Sequence, residues 1–445
     1  YVAPTGPVSH IRNPSTCLTG VYKIPALYGR WRIALTNTAP VASYRGAGRP
    51  DIAYFIERLV SRAAIELGID AAELRRRNFI PPEAFPYKTP TGTTYDNADF
   101  PGLLEQALKA ADWQGYEARR AASEKRGRLR GIGISTVIEN TGAGMFPKDE
   151  IEIVANADGT LTAYSVSHSQ GQGHETTFAM MIANALGIAV DRVRLQQAPT
   201  GKELIGNHSG GSRTMVGAGT VCHIAAVKLI EHGKRLAAEE LGLEPSQIEY
   251  ASGVFHGRDT ERKITLAELA KTRTVSVVGE GTFGSTFPNG CHIAEVEIDP
   301  ETGVTRIASY VTVDDCGVVV NHTIVEGQMH GAVAQGAGQV FGEHIVYDRE
   351  TGQLITGSFS DYYMPRAGLV PELVMEEHPT PSRVNPLGIK GTGESGCTAS
   401  LGCLVNAVLD AVKPVGIAHL DMPLTPAKLW QAIAAARAGA ARSEA

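Results

Sequence analysis

Five glycine-rich segments concentrate the polar chemistry of this chain: Tyr44-Arg-Gly-Ala-Gly-Arg-Pro50, Gly171-Gln-Gly-His174, Ser209-Gly-Gly-Ser-Arg-Thr214, Glu326-Gly-Gln-Met-His-Gly331 and Gly391-Thr-Gly-Glu-Ser-Gly396. Each precedes an apolar-periodic stretch that reads as a helix. A glycine loop opening a helix offers free N–H groups at the positive end of the helix dipole, a ready anion site. One such loop is usually only a turn. Five, all carrying Gln, Ser, Arg or Thr, suit a large, multiply anionic ligand. Arg45 adds a fixed charge and a planar donor fork suited to phosphate or oxo oxygens. Gln172 and Gln328 supply paired donor and acceptor groups suited to the edge of a heterocycle. Glu394 stands alone among Thr392, Gly393, Ser395 and Gly396. Two roles fit it. It is an acid at a helix N-terminus, or it is a general base whose pKa rises toward working pH as the site closes.

Other chemistry is poorly supported. His168, His174 and His330 lack the H-x3-H or H-E-x-x-H spacing of a metal site, so His174 reads as a polar wall beside its loop. No G-x-x-x-x-G-K-[ST] phosphate loop and no dinucleotide fingerprint with a following ribose acid occurs. Cys17, Cys222, Cys291, Cys316, Cys397 and Cys403 contain no C-x-x-C pair. A disulfide scaffold, a zinc finger and an iron–sulfur cluster are therefore not expected, and Cys222-His223 and Cys291-His292 read as structural.

Positioning these loops requires a mixed fold. Helical periodicity marks Ile52–Leu67, Leu103–Ala111, Thr177–Leu186, Val221–Leu241, Leu401–Val412 and Pro426–Ala438. Ile151-Glu-Ile-Val-Ala alternates, turns at Asp158-Gly159, and alternates again through Leu161–Val166. Ile293-Ala-Glu-Val-Glu-Ile does the same around Pro300-Glu-Thr-Gly303, continuing through Ile307–Val313. A weaker third copy spans Ile345–Phe359. The pattern is a duplicated β-hairpin-plus-helix unit in an α+β fold. The basic segment Arg119–Arg130 is the best domain boundary, giving regions 1–126 and 127–445, the latter in two related halves of about 127–275 and 276–445.

Composition sets the outer limits. The 445 residues carry 41 Lys+Arg against 47 Asp+Glu, a net charge of −6 with both signs interspersed, which excludes a binder driven by neutralising nucleic-acid phosphates. No run approaches 18 apolar residues, so no membrane span is expected. The chain opens at Tyr1 without an initiator Met or export signal, so a processed or truncated chain and a cytoplasmic location are expected.

The ordered motifs resemble a known family. Tyr22-Lys-Ile-Pro25, Thr36-Asn-Thr-Ala39 and the Tyr44–Pro50 loop, followed in order by Gly171-Gln-Gly173, Gly211-Ser-Arg-Thr214, Gly327-Gln328 and Lys390-Gly-Thr-Gly-Glu394, are similar to the molybdenum-binding subunit of the xanthine oxidase family of molybdenum hydroxylases. The resemblance implies a molybdopterin-binding fold, with 1–126 ending a first molybdenum-binding domain and 127–445 forming a second. It implies a molybdenum–pterin cofactor, in the cytosine dinucleotide form, with molybdenum held through the pterin and not by a side chain. It implies cofactor contacts from Arg45, Gly46, Gly171, Gln172, Gly173, Gly211, Ser212, Arg213, Thr214, Gln328 and Gly393, and a substrate pocket at Tyr44 and Ala47. Glu394 matches the family's catalytic glutamate, which takes the proton from a metal-bound hydroxyl during hydroxylation of an aromatic N-heterocycle or aldehyde. Electrons would leave through [2Fe–2S] and FAD partner subunits, since no cluster spacing or flavin fingerprint is present here.

Three departures refine the resemblance. The family's upstream half is not found before Tyr22, so a companion chain is expected to supply it; a non-catalytic cofactor-binding or assembly subunit is the alternative. Copper-type carbon monoxide dehydrogenases place a Cys where Gly46 stands, so neither copper nor carbon monoxide oxidation is expected. Xanthine enzymes carry Phe at the position of Ala47 and Arg at that of Asn13, so xanthine is not the expected substrate.

Overall fold

The computed structural model describes residues 6–142 and 144–443. The first part of the chain holds four helices, α1 (Gly6–Ser15), α2 (Arg49–Leu67), α3 (Ala71–Asn78) and α4 (Phe100–Ala110), and, between the last two, a two-stranded ribbon, β1 (Tyr87–Lys88) with β2 (Thr94–Tyr95). Helix α5 (Tyr116–Glu124) then leads into β3 (Leu129–Ile138).

The alternation read from the sequence becomes two hairpins. In β4 (Asp149–Ala155) and β5 (Leu161–Ser165) every second residue is buried. Their turn is tied by Asp158, whose carboxylate accepts the Thr160 N–H at 2.9 Å. Helix α6 (His174–Leu186) carries the chain over to β6 (Val193–Gln197), parallel to β5. The second unit repeats this plan with β11 (Asn289–Ile298), β12 (Thr305–Asp315), α9 (His322–Phe341) and β13 (Val374–Glu377), the last parallel to β12. Between the units lie α7 (Thr220–Leu241), the sheet β7 (Ile248–Ala251), β8 (Val254–Gly257) and β9 (Lys263–Thr265), then α8 (Leu266–Thr272) and β10 (Ser276–Gly281). Helices α10 (Ser395–Val412) and α11 (Pro426–Ser443) close the chain.

The two main sheets have one topology with exchanged edges. Their orders are β10-β4-β5-β6 and β3-β11-β12-β13. Strand β3 precedes the first hairpin yet pairs antiparallel with β11, and β10 follows β6 yet pairs antiparallel with β4. Each of the stretches 127–275 and 276–445 therefore lends one strand to the other's sheet.

Two expectations are corrected. The third hairpin forms no strands, only a bridge between Tyr347 and Leu354, because Ile345 and Ile355 are half exposed and no sheet is there to receive them. The segment Glu326–Gly331 is no loop but the second turn of α9, since Asn321 caps the helix by accepting the Ile324 N–H at 3.0 Å. The six helices read from periodicity are present. Helix α10 starts six residues early because small buried residues from Ser395 to Ser400 hide its apolar period. Among the described residues this helix, extended to Val415, is long and apolar enough to cross a membrane, but 94% of its apolar window is buried in the protein, as for a core helix.

Helix α10 lies on β3 with no room for side chains between them. A Cβ on Gly133 would come within 2.1 Å of the Cys403 carbonyl oxygen, and one on Gly131 within 2.0 Å of that of Ala407. Backbone cannot yield as a flexible side chain can. Gly133→Ala is thus expected to cost about 1–3 kcal/mol in urea unfolding. Gly284→Ala, with nothing within 4 Å of its Cβ, should stay within roughly 0.5 kcal/mol of wild type.

Candidate active site

The loops that open α2 and α10, the loop and first turn of α6, the first two turns of α9 and the loop and π-turn preceding α7 meet around one cavity of about 560 Å³. Nine of the site residues read from the sequence line it: Arg45, Gly171, Gln172, Gly211, Ser212, Thr214, Gln328, Gly393 and Glu394. Val318, Val319, Val320 and Ile324 give it an apolar wall. Five do not line it. Gly46 and Ala47 lie behind Arg45 in the same loop, Tyr44 is partly exposed, and Gly173 packs on Ile324. Arg213 is turned into the interior, where Nη2 donates to Asp149 at 2.8 Å. Its proposed contact with a ligand must therefore be indirect.

Glu394 occupies the N-cap position of α10, yet its side chain does not cap that helix. Its oxygens are held by three residues of two other segments, 44–50 and 209–214. Oε1 accepts the Gly46 N–H at 2.8 Å; Oε2 accepts from Arg49 Nη2 and from Ser212 Oγ, both at 2.8 Å. Burial pushes its pKa up, but the Arg49 charge, the Gly46 amide and the Ser212 hydroxyl outweigh burial and hold it below the ordinary 4.5. The expected upward shift is thus reversed: this carboxylate is ionised at neutral pH.

Gly46 has to be glycine. Its φ is +96°, and a Cβ would meet Pro50 Cγ at 2.3 Å. Ser212 also has positive φ, next to Gly211, so the loop 209–214 turns tightly beneath Gly391. A Cβ on Gly391 would lie 1.8 Å from the Ser212 carbonyl oxygen.

Arg45 works differently from the fixed anion site expected of it. Nε donates to the Gly393 carbonyl at 2.7 Å, and Nη2 to the Gln328 carbonyl at 3.0 Å and to Oε1 of Gln328 at 2.8 Å. It braces three segments, and Nη1 alone has no protein acceptor among the described residues. The two glutamines are oriented by their oxygens. Gln328 Oε1 faces Arg45, and Gln172 Oε1 takes the Gln170 N–H. That leaves both amide nitrogens as donors at the cavity. His174, stacked on Phe178 at 5.0 Å, is buried at the wall; its Nδ1 has no partner, and burial pushes its pKa down to about 4. Lys390 also borders the cavity, but its Nζ is spent on Asp315, Thr380 and the Asn97 carbonyl.

Two residues were missed from sequence. Arg49 belongs to the quoted Tyr44–Pro50 loop, and its proximity to Arg45 was the available signal. Glu139 has no motif. It follows β3 directly and is fully buried, with Oε1 at 3.0 Å from Arg49 Nε. All six cysteines are buried free thiols, and among the described residues no three His, Cys, Asp or Glu side chains are grouped to hold a metal.

The donors left over define what fits: a guanidinium nitrogen, two amide nitrogens, an unpartnered imidazole and a positive-φ backbone turn, around an apolar-walled cavity. This set suits an anionic heterocyclic group. Comparisons with known proteins agree. Residues 106–371 and 3–79 match molybdopterin cofactor-binding domains. The chain belongs to the molybdopterin-binding large subunits of the xanthine oxidase family. It is similar to the carbon monoxide dehydrogenase large chain of Hydrogenophaga pseudoflava, at 32% identity over 93% of this chain and 55% of that one. The nicotine 6-hydroxylase large subunit of Paenarthrobacter nicotinovorans is 31% identical over 93% of this chain and 53% of its own length. The quinoline 2-oxidoreductase of Pseudomonas putida 86 superposes with a TM-score of 0.85 at 30% identity, covering 96% of this chain and 57% of that one. The chain spans about half the length of the curated relatives it matches.

Arg49 joins two buried carboxylates, so Arg49→Gln should cost about 3–5 kcal/mol in urea unfolding at pH 7, the penalty for uncompensated buried charge. The acid side gives the sign. Because the folded pKa of Glu394 is depressed, its contribution is present above pH 4.5 and is lost as pH falls through the lower folded value. The variant should lose that acid-side decline.

Proposed function

We propose that this chain is the catalytic molybdopterin-binding part of a molybdenum hydroxylase that inserts a water-derived oxygen into a C–H bond of an aromatic N-heterocycle or aldehyde. The observation that carries this reading is Glu394, ionised and held by three donors from two other loops at the wall of the cavity. The molybdenum–pterin cofactor, in its cytosine dinucleotide form, would supply the electrophilic metal that activates water and accepts two electrons.

The chain's own residues then have separate tasks. The amide nitrogens of Gln172 and Gln328 would hold the pterin edge. Arg45, through Nη1, and the backbone at Gly211 and Ser212 would border the metal, with Thr214 and Gly393 completing the wall. Glu394 is the general base. Gly46, Arg49 and Ser212 fix both its oxygens, so no rearrangement is needed when it takes a proton. A low pKa makes it a weak base that stays ready across the neutral range. Tyr44 and Ala47, in the same loop as Gly46 but outside the cavity lining, would meet the substrate only at its approach to the site.

Gly46 also bears on substrate class. A side chain there would collide with Pro50 and displace the amide that holds Glu394, so this loop has no place for a side chain carrying a second metal. This supports a substrate oxidised at a C–H bond over carbon monoxide. Electrons would leave through an iron–sulfur subunit and then an FAD subunit. The complex is placed in the cytoplasm.

Glu394→Gln keeps the shape of the side chain and removes the base. In the natively purified complex, molybdenum by elemental mass spectrometry should stay at wild-type stoichiometry while kcat with a dye acceptor falls about 10²–10⁴-fold. Wild-type turnover in a fully loaded variant would end the base assignment. Wild-type kcat should hold down to below pH 4.5 before its acid limb, as the depressed pKa requires.

A further inference from the structure

Glu139 is the buried carboxylate that the proposed chemistry leaves without a task. It is fully buried beside a guanidinium, which reads at first as an ordinary ion pair. The hydrogen-bond geometry argues otherwise. Arg49 Nε, the nitrogen nearest Glu139, donates to the Gly46 carbonyl at 2.6 Å; Nη1 donates to the Asn140 carbonyl and Nη2 to Glu394. The Thr398 hydroxyl is near enough to pull the Glu139 pKa down, the weakest of the influences on it, but neither that hydroxyl nor either oxygen of Glu139 makes a hydrogen bond of good geometry with any described residue. An ionised carboxylate in that position would be desolvated, with one unaligned contact to a cation already engaged elsewhere. A buried charge so poorly served is costly, and the usual outcome is that the group neutralises.

We propose that Glu139 is a positioning residue for the base: it carries a proton while Glu394 is ionised, and so leaves the Arg49 charge to Glu394. The proposal rests on the reading of Glu394 as the base. Two carboxylates share one guanidinium, and the one without an aligned hydrogen-bond donor is kept neutral. The charged and titratable groups facing Glu139 are Arg49 and Arg45 from the loop and start of α2, and Glu394 and Cys397 from α10. Cys17, after α1, is the fifth. Burial holds Cys17 up at about 11 and Cys397 at about 12, so both thiols stay uncharged in the neutral range. Burial likewise pushes Glu139 up, to about 8, against the pull of Arg49, and the Glu394 charge adds to the rise. When Glu139 ionises, it competes for Arg49 and the proton affinity of Glu394 rises. Glu139 thereby couples the strength of the base to pH without touching substrate.

Stability and infrared spectroscopy test this without turnover, on the natively purified complex. Protonated Glu139 stabilises the fold fully below its ordinary pKa of 4.5, and that contribution is lost as pH rises toward about 8. Glu139→Gln removes the titration and keeps the shape. The variant should match wild-type Tm near pH 5 and exceed it by roughly 2–4 °C at pH 9. A variant that is less stable than wild type, by a margin widening with pH, would show an ordinary ionised partner of Arg49 and overturn the proposal. If the variant fails to assemble, pH-difference infrared spectra of wild type and Glu394→Gln decide. A buried carboxylic C=O band present at pH 6.5 in wild type and lost by pH 9 is expected, with its loss moved to lower pH in Glu394→Gln, where the competing charge is gone; its absence from wild type overturns the assignment. Full turnover by Glu394→Gln would remove the catalytic reading while leaving these readouts intact, so the two failures are separable.

Discussion

Arg49 is the interaction on which the site depends. Its side chain is almost fully buried at the start of α2, and it reaches the end of β3 through Asn140 and Glu139, its own loop through Gly46, and the start of α10 through Glu394. Three elements far apart in sequence are thus fixed to one planar cation. Its planar fork can serve partners in several directions at once, which a lysine ammonium on a flexible stem cannot do with the same geometry. Hydrogen bonds to charged groups in a poorly solvated interior are strong, and an unmatched charge there is costly. The loop cannot drift without leaving the Glu394 charge to that cost, so this carboxylate inherits the rigidity of the core.

The rest of the fold places the partners of this cation. Strand β3 belongs by sequence to the first hairpin unit but by pairing to the second sheet, beside β11. That exchange carries Glu139 into contact with α2 and α10. Helix α10 can reach Arg49 only because it lies directly on β3, and it does so through Gly131 and Gly133, where any Cβ would strike helix backbone. The abundance of glycine, 49 of 445 residues, therefore has two separate causes. At Gly46 and Gly211 glycine supplies a backbone conformation; at Gly131, Gly133 and Gly391 it supplies closeness.

Much of this was legible in the sequence because local signals and global structure agree. Alternation in β4, β5, β11 and β12 reports a one-sided burial that does occur, and the long apolar periods of α6 and α7 report real core faces. Nine of the fourteen site residues expected from motifs and resemblance line one cavity, because glycine loops opening helices converge where those helices begin. Illegibility has particular causes. Ile345–Phe359 has a strand's composition but no neighbouring edge to pair with, and pairing is a non-local property. Arg213 and Arg45 look equivalent as cations in glycine loops; only the position of Asp149, 64 residues away along the chain, turns one inward. Glu139 carries no signal because its importance arises from the strand exchange, which no periodicity records.

The direction of the Glu394 shift follows from the same geometry. A carboxylate in a closed, apolar-walled cavity is expected to rise in pKa if desolvation acts alone. Here the groups that exclude water also supply a backbone N–H, a hydroxyl and a guanidinium, all at 2.8 Å. Burial and compensation cannot be separated: the loops that bury Glu394 are the ones that donate to it. Glu139 shows the other limit, equally buried by the same elements but facing no aligned donor. Two carboxylates a single guanidinium apart are thus pushed in opposite directions by the placement of a few hydrogens, which is the ground on which one is proposed as the base and the other as the holder of a proton.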